Sequence, residues 1–301
     1  MAKPQEHISF YDQIARNKRN SIFLIIIIFA VFILLSYVIG LIYQDYFFII
    51  LIFGIIFSIF YVMIGYYNSD KIAVASVGAK PADRSQYPQY YNIVEGLTLA
   101  SGLPMPKLYV MQNSEINAFA TGRNPQNSAV CVTTGALEKL NKQELEGVLS
   151  HELSHVANYD IRFMTLVAVL VGMIAIISQI FLRSLWFRGS NREGKGNAVL
   201  MLIGILLAIL APIAVMLVQL AISRKREYVA DASAVKFTRS PTGLIGALKK
   251  IKTEQVPEKE TKKINKAVAP LFISDPFKKK ISSLFSTHPP LDDRIKILER
   301  M

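Results

Sequence analysis

The residues best able to do chemistry form the pattern His-Glu-x-x-His at positions 151–155. Residues four apart share one face of a helix, so His151 and His155 can direct both imidazoles at one metal ion. Glu152 lies beside them, where a carboxylate can take a proton from an attacking water. The pattern therefore predicts a zinc site that hydrolyses peptide bonds.

A catalytic zinc usually has three protein ligands and one open position, so a third ligand is needed. The chain has four histidines. His7 lies in a polar N-terminal tail, and His288 precedes a Pro-Pro pair that suits a loop. Glu227 is the better candidate, because Asp231 follows four residues later on the same helical face. We expect Glu227 to bind the metal and Asp231 to accept the ring N–H of a ligating histidine.

The single cysteine, Cys131, offers a different chemistry. A nucleophilic thiol paired with a histidine is the alternative. However, Cys131 lies inside the strand-like run 129–132, where a small buried thiol is the ordinary explanation. One cysteine also rules out an internal disulfide and fits a reducing cytosol.

Four apolar runs could position this site at a membrane. Each is long enough to cross a bilayer, and the first, about 23 residues, contains no charge. They span residues 21–43, 46–67, 163–182 and 198–222. The first run is too long for a signal peptide and lacks a cleavage pattern. The sequence therefore predicts an α+β membrane protein with four transmembrane helices in two hairpins. Two membrane crossings between His155 and Glu227 return the chain to the same side of the bilayer. Both residues must lie on one side if they are to bind the same metal ion.

Basic residues indicate the orientation. Residues 1–20 carry Lys3, Arg16, Lys18 and Arg19, which places the N-terminus in the cytoplasm. The active site then faces the cytoplasm as well. The connection 183–197 carries four more basic residues although this topology puts it outside, so a re-entrant second pair is the alternative.

The net charge of +12 raises the question of nucleic acid. Much of the excess follows residue 222, where basic residues suit anionic lipid headgroups. No nucleic-acid-binding module accompanies them. We therefore expect protein substrates and the lipid bilayer as partners, and no nucleic acid.

The polar segments predict a catalytic part built from two stretches of chain. Turn residues separate a helix over 86–100 from short strands over 107–111, 118–121 and 129–134. Asn141 and Glu144 form a capping box for the helix that carries the two histidines. Ser240 and Pro241 read as the N-cap and first residue of a later helix, and the Lys-rich residues 252–286 as a surface loop. The expected divisions are residues 1–67 (tail and first hairpin), 68–160 (first catalytic part), 161–222 (second hairpin) and 223–301 (second catalytic part).

Taken together, these segments resemble the HtpX-type membrane zinc metalloproteases of bacteria, which are related to the CaaX prenyl proteases. The likeness covers nearly the whole chain. It rests on the two pairs of apolar runs and on residues 117–122, 151–155, 224–231 and 287–290.

The resemblance implies a mainly helical, zincin-like catalytic domain with a small β-sheet and one Zn²⁺ per chain. His151, His155 and Glu227 would hold the zinc, with Glu152 as general base. His288 and Arg294 match a pair that stabilises the oxyanion. The segment Asn117, Ala118, Phe119 and Ala120 matches an edge strand to which an extended substrate pairs.

The same resemblance implies quality control of membrane or misfolded proteins under stress, at the cytoplasmic face of the bacterial inner membrane. Two alternatives stay open. One is a CaaX-type protease of prenylated proteins. The other is a non-catalytic zinc-binding membrane scaffold, which would need a fourth protein ligand that the sequence does not place.

Overall fold

A computed structural model describes residues 10–168, 224–254 and 289–301, together with the single positions 174, 178, 179, 183, 204, 272 and 273. The predicted second hairpin, residues 163–182 and 198–222, lies mostly outside these residues. Four transmembrane helices are therefore not confirmed.

The chain begins with a long helical hairpin. Helix α1 (Phe10–Ile42) is followed by a 3₁₀ turn (Gln44–Tyr46) and helix α2 (Phe47–Tyr67). Within them, residues 14–41 and 44–67 are long and apolar enough to cross a membrane. These are the two candidate spans among the described residues, and they match the first predicted pair. The short helix α3 (Ser69–Ser76) then leads into the catalytic part.

A four-stranded mixed sheet follows, in the order β1-β2-β4-β3. Its strands are β1 (Lys80–Pro81), β2 (Lys107–Met111), β3 (Ala118–Asn124) and β4 (Asn127–Thr133). The strands β2 and β4 are parallel, whereas β3 and β4 form an antiparallel hairpin. Helix α4 (Pro88–Ser101) precedes β2 and ends at Gly102, whose φ of 70° is a left-handed C-cap. The predicted strands and helix are all present, and β3 lies at the edge of the sheet.

The helix with the two histidines is α6 (Lys142–Ala157), which follows the short α5 (Thr134–Lys139). The predicted capping box is confirmed: the Asn141 side chain accepts from the Glu144 N–H, and Glu144 accepts from the Asn141 N–H. Residues 160–168, α7, are helical again. After the gap come α8 (Arg224–Thr238), α9 (Thr242–Thr253) and α10 (Leu291–Leu298). Helix α9 starts one residue later than predicted, with Pro241 as its N-cap.

Alternation along β3 and β4 separates two hydrophobic clusters, because successive strand residues face opposite sides of a sheet. Ala118, Ala120 and Val130 face the first cluster, which includes Leu149 and Leu153 of α6. Phe119 and Cys131 face the second cluster, which also contains these residues of α1 and α7: Leu24, Ile28, Phe32, Phe163 and Val167. The sheet is thus packed between the catalytic helices and the membrane hairpin.

Candidate active site

Helix α6 directs both histidines of the pattern into one buried site. His151 is 0% and His155 6% exposed, and Glu227 of α8 faces them at 3% exposure. One ligand atom from each of the three residues lies within 4.8 Å of the others. The structure therefore brings together the three predicted metal ligands, although they come from helices about 70 residues apart in sequence.

The distances among these atoms suit a tetrahedral zinc. The Nε2 atoms of His151 and His155 are 3.2 Å apart. Each also lies 3.6 Å from a carboxylate oxygen of Glu227. Nitrogen ligands at 2.0–2.1 Å from a tetrahedral zinc would be about 3.3 Å apart. The donor atoms are thus already close to the spacing that such an ion requires.

The other ring nitrogen of each histidine, Nδ1, lies against a carboxylate. Nδ1 of His151 is 3.0 Å from Asp231 Oδ1, and Nδ1 of His155 is 3.0 Å from Asp160 Oδ2. A carboxylate can only accept, so in the neutral imidazoles Nδ1 carries the proton and Nε2 the lone pair. In these tautomers two Nε2 lone pairs and the Glu227 carboxylate converge on one centre. Burial and the charge of Arg294 lower the pKa of His151, but the Asp231 and Glu227 carboxylates more than offset this and raise it to about 9, so a proton can occupy the centre. A metal cation in its place would satisfy all three groups together.

Asp231 lies between the ring of His151 and the guanidinium of Arg294. The guanidinium donates from Nε to Oδ2 at 2.9 Å and from Nη2 to Oδ1 at 2.6 Å. Burial raises the pKa of Asp231, but the charge of Arg294 and the hydrogen bond from His151 more than offset this and keep it below its usual value. Asp231 therefore stays ionised between the ring of His151 and Arg294.

Arg294 itself is completely buried. Its Nη1 is 3.6 Å from Glu227 Oε2, so the same guanidinium contacts the carboxylates of both Asp231 and Glu227. Its predicted direct role at an oxyanion stays a prediction, as does that of His288, which lies outside the described residues. Among the described residues, the guanidinium of Arg294 contacts these two carboxylates and the ring of His151.

Glu152 lies beside the metal ligands and under the edge strand. It is 2% exposed, and burial raises its pKa, although the two histidines oppose this. The backbone N–H of Ala120 also lowers the pKa of this carboxylate. The structure thus places the expected base against the segment expected to hold the substrate.

That segment begins at Asn117, which is 2% exposed. Its backbone N–H donates to the side-chain hydroxyl of Thr133, and its carbonyl accepts from the backbone N–H of Thr133. At the edge of β3, the chain itself already occupies the backbone carbonyl of Ala118. The N–H of Ile273 donates to the carbonyl of Ala118 at 2.9 Å, and Phe272 pairs with Phe119 across the edge. Residues 272–273 belong to the stretch predicted as a surface loop, most of which lies outside the described residues. No local pattern in the sequence indicates this contact.

Two further polar residues of the site were not predicted. Asp160 follows α6 and accepts from His155; an acidic residue five positions after the pattern is the signal that could have identified it. Asn17 of α1 donates to Asp160, and no local pattern indicates this contact because the two residues are 143 positions apart.

Comparison with known proteins agrees with this geometry. Residues 84–301 match the model of Peptidase family M48. A protease HtpX homolog of Caldanaerobacter subterraneus subsp. tengcongensis is 43% identical over 97% of this chain and 98% of its own length. A protease HtpX homolog of Streptococcus pyogenes is 38% identical over 97% of this chain and 99% of its own length.

The crystal structure of S. mikatae Ste24p is similar in fold. The TM-score is 0.51 at 20% identity, and the match covers 94% of this chain and 65% of that chain. At this identity the likeness concerns the fold alone.

Proposed function

The chain belongs to peptidase family M48 and is a membrane metalloprotease, and on this premise we propose that it hydrolyses peptide bonds with a zinc ion held by His151, His155 and Glu227. The observation that carries the proposal is the convergence of two Nε2 lone pairs and the Glu227 carboxylate at 3.2–3.6 Å. Zinc prefers such nitrogen and oxygen donors, and three protein ligands leave one position open.

When bound, zinc would polarise the scissile carbonyl and lower the pKa of a water. Glu152 takes the proton from the attacking water and returns it to the leaving amine. Burial raises the pKa of the Glu152 carboxylate, because the charged form loses hydration. Burial also excludes bulk water from the proton that Glu152 carries.

The substrate would lie in extended form along β3. Its backbone would pair with the edge at Ala118, close to the Ala120 N–H that lowers the pKa of Glu152. Backbone pairing is indifferent to most side chains, which supports a broad range of protein substrates. We propose unfolded or membrane proteins as that range, in quality control under stress at the cytoplasmic face of the bacterial inner membrane.

The test is a zinc-triggered cleavage time course. Protein purified with chelator in mild detergent would receive Zn²⁺ and an unfolded protein substrate, beside Glu152→Gln and Glu227→Ala. We expect Glu152→Gln to keep its zinc and to lose at least about 10²-fold in rate. Glu227→Ala should lose zinc affinity as well as activity.

Two results would contradict the proposal. Cleavage by Glu152→Gln at the wild-type rate would remove Glu152 as the base. Unchanged zinc content in Glu227→Ala would show that another residue is the third ligand.

A further inference from the structure

The side chain of Asp160 is shared between the metal site and the first membrane helix. Its Oδ2 lies 3.0 Å from Nδ1 of His155, and its Oδ1 accepts from Nδ2 of Asn17 at 2.6 Å. Asp160 is 0% exposed. Both oxygens of one buried carboxylate are therefore held, one by a metal ligand and one by helix α1.

Asn17 is well placed to fix this carboxylate. It is 4% exposed, and its Nδ2 also donates to the backbone carbonyl of Asn158 at 3.1 Å. Both protons of the amide are thus directed at the turn between α6 and α7. Asn17 lies within the candidate membrane span 14–41, where a buried polar side chain is costly unless it is paired.

We propose that Asn17 is a positioning residue of the metal site, acting through Asp160 on His155. A carboxylate held by one oxygen alone can rotate about its terminal torsion, which is broad for aspartate. The hydrogen bond from Asn17 to Oδ1 fixes the orientation of the Asp160 carboxylate and so the direction of Oδ2. Because Oδ2 accepts from Nδ1 of His155, it fixes the orientation of that ring. The Nε2 atom of His155 then points towards Nε2 of His151. Groups that orient a ligating histidine in this way contribute to metal affinity as well as geometry.

The competing explanation is that Asn17 only attaches α1 to the catalytic part. Lys18 provides a matched control, because it is the next residue of the same helix and contacts the same turn. Its Nζ lies 4.4 Å from the centroid of the Tyr159 ring. A change at Lys18 therefore loosens the same attachment without touching Asp160.

The experiment uses full-length protein in detergent and rests on the proposed zinc site. Zn²⁺ affinity would be measured by competition with a chelator, and the absorption spectrum of the Co²⁺-loaded protein would report ligand geometry. We expect Asn17→Ala to bind Zn²⁺ about three- to tenfold more weakly, less than the roughly ten- to hundredfold loss expected for Asp160→Asn. Its Co²⁺ spectrum should shift, whereas Lys18→Gln should match the wild type in both measurements.

A reciprocal pair guards against a variant that fails to fold. Asn17→Asp sets two carboxylates against each other, and adding Asp160→Asn restores a donor and an acceptor in reversed order. The double variant should lose less Zn²⁺ affinity than the two single variants predict when their losses are combined. Purely additive losses would overturn the proposal.

The other outcomes are equally decisive. If the wild type binds neither Zn²⁺ nor Co²⁺, the proposed site itself fails. If the wild type binds but Asn17→Ala is unchanged, or Lys18→Gln loses as much affinity, then Asn17 attaches the helix without positioning His155.

Discussion

At the scale of single residues, the site depends on charges that are buried and paired. Asp231 receives the ring N–H of His151 and two N–H groups of Arg294, and this pairing keeps it ionised although burial raises its pKa. Removing one partner of such a pair leaves the other as an uncompensated buried charge, which costs far more than the pair contributes. Loss of an ion pair with the same geometry at the surface costs little free energy, because water replaces the missing partner.

Arg294→Gln should therefore be strongly destabilising. We expect a loss of about 3–5 kcal/mol in the free energy of unfolding of the metal-free protein, together with weaker zinc binding. Arg84→Gln is the matched control: Arg84 makes the same two-pronged contact with Glu95, but the side chains are 62% and 39% exposed. It should cost about 0–1 kcal/mol. Equal losses in denaturant unfolding would contradict this account of Arg294.

At the scale of elements, α6 is seated on α9 by direct backbone contact. A side chain on Gly147 of α6 would overlap the backbone of Gly243 and Leu244, and one on Gly243 would overlap the backbone of Gln143. Gly147 lies one turn before His151, so this contact sets the position from which the histidine projects.

Gly147→Ala should therefore disturb both stability and metal binding. Forcing a methyl group into this contact is expected to cost about 1–3 kcal/mol and to weaken zinc affinity as α6 moves. Gly96→Ala is the control, because nothing lies within 4 Å of the added methyl group in α4. That change should stabilise the protein by up to about 1 kcal/mol. A neutral Gly147→Ala in denaturant unfolding would show that the two helices can separate freely.

The edge of β3 allows a test of the proposed substrate strand. Ile273 already donates to the Ala118 carbonyl, so a peptide that pairs there must replace this bond. Ile273→Pro removes the N–H and should lower KM for an unfolded substrate with little change in kcat. Ile273→Val, which keeps the N–H, should resemble the wild type. An unchanged KM in Ile273→Pro would show that substrate does not use the Ala118 carbonyl.

Local patterns in the sequence predicted most of these elements but not their long-range contacts. The capping box at Asn141, the shared face of His151 and His155, and the strand pattern around Cys131 depend on neighbours within a few residues, so they are readable directly. The bond from Asn17 to Asp160 and that from Ile273 to Ala118 join distant segments and depend on packing. The third metal ligand lies between these two cases. The spacing of Glu227 and Asp231 is a local pattern, but the histidines that they face are about 70 residues away in the sequence.

At the scale of the whole molecule, the first hairpin has a surface suited to lipid. Phe48 is 75% exposed, Phe53 69% and Phe60 59%, all within the single helix α2. A band of exposed aromatic and aliphatic side chains along a helix of spanning length is unfavourable in water and favourable in a bilayer. In the same hairpin, α1 packs on α7 and on the face of the sheet that contains Phe119. The hairpin therefore couples the bilayer to the catalytic part directly, and its crossing decides which compartment the site faces.

Orientation can be tested with single cysteines, because the native one is silent. Cys131 is 1% exposed, and burial raises the pKa of its thiol above the usual range, so the folded wild type should not react with maleimide. Asp45→Cys, in the turn between the two spans, should react with a membrane-impermeant maleimide in intact spheroplasts. Lys142→Cys, at the start of α6, should react only after the membrane is permeabilised, because the basic residues before the first span hold that side in the cytoplasm. The reverse pattern would place the metal site outside, and labelling of both positions in intact cells would mean that the hairpin does not cross the membrane.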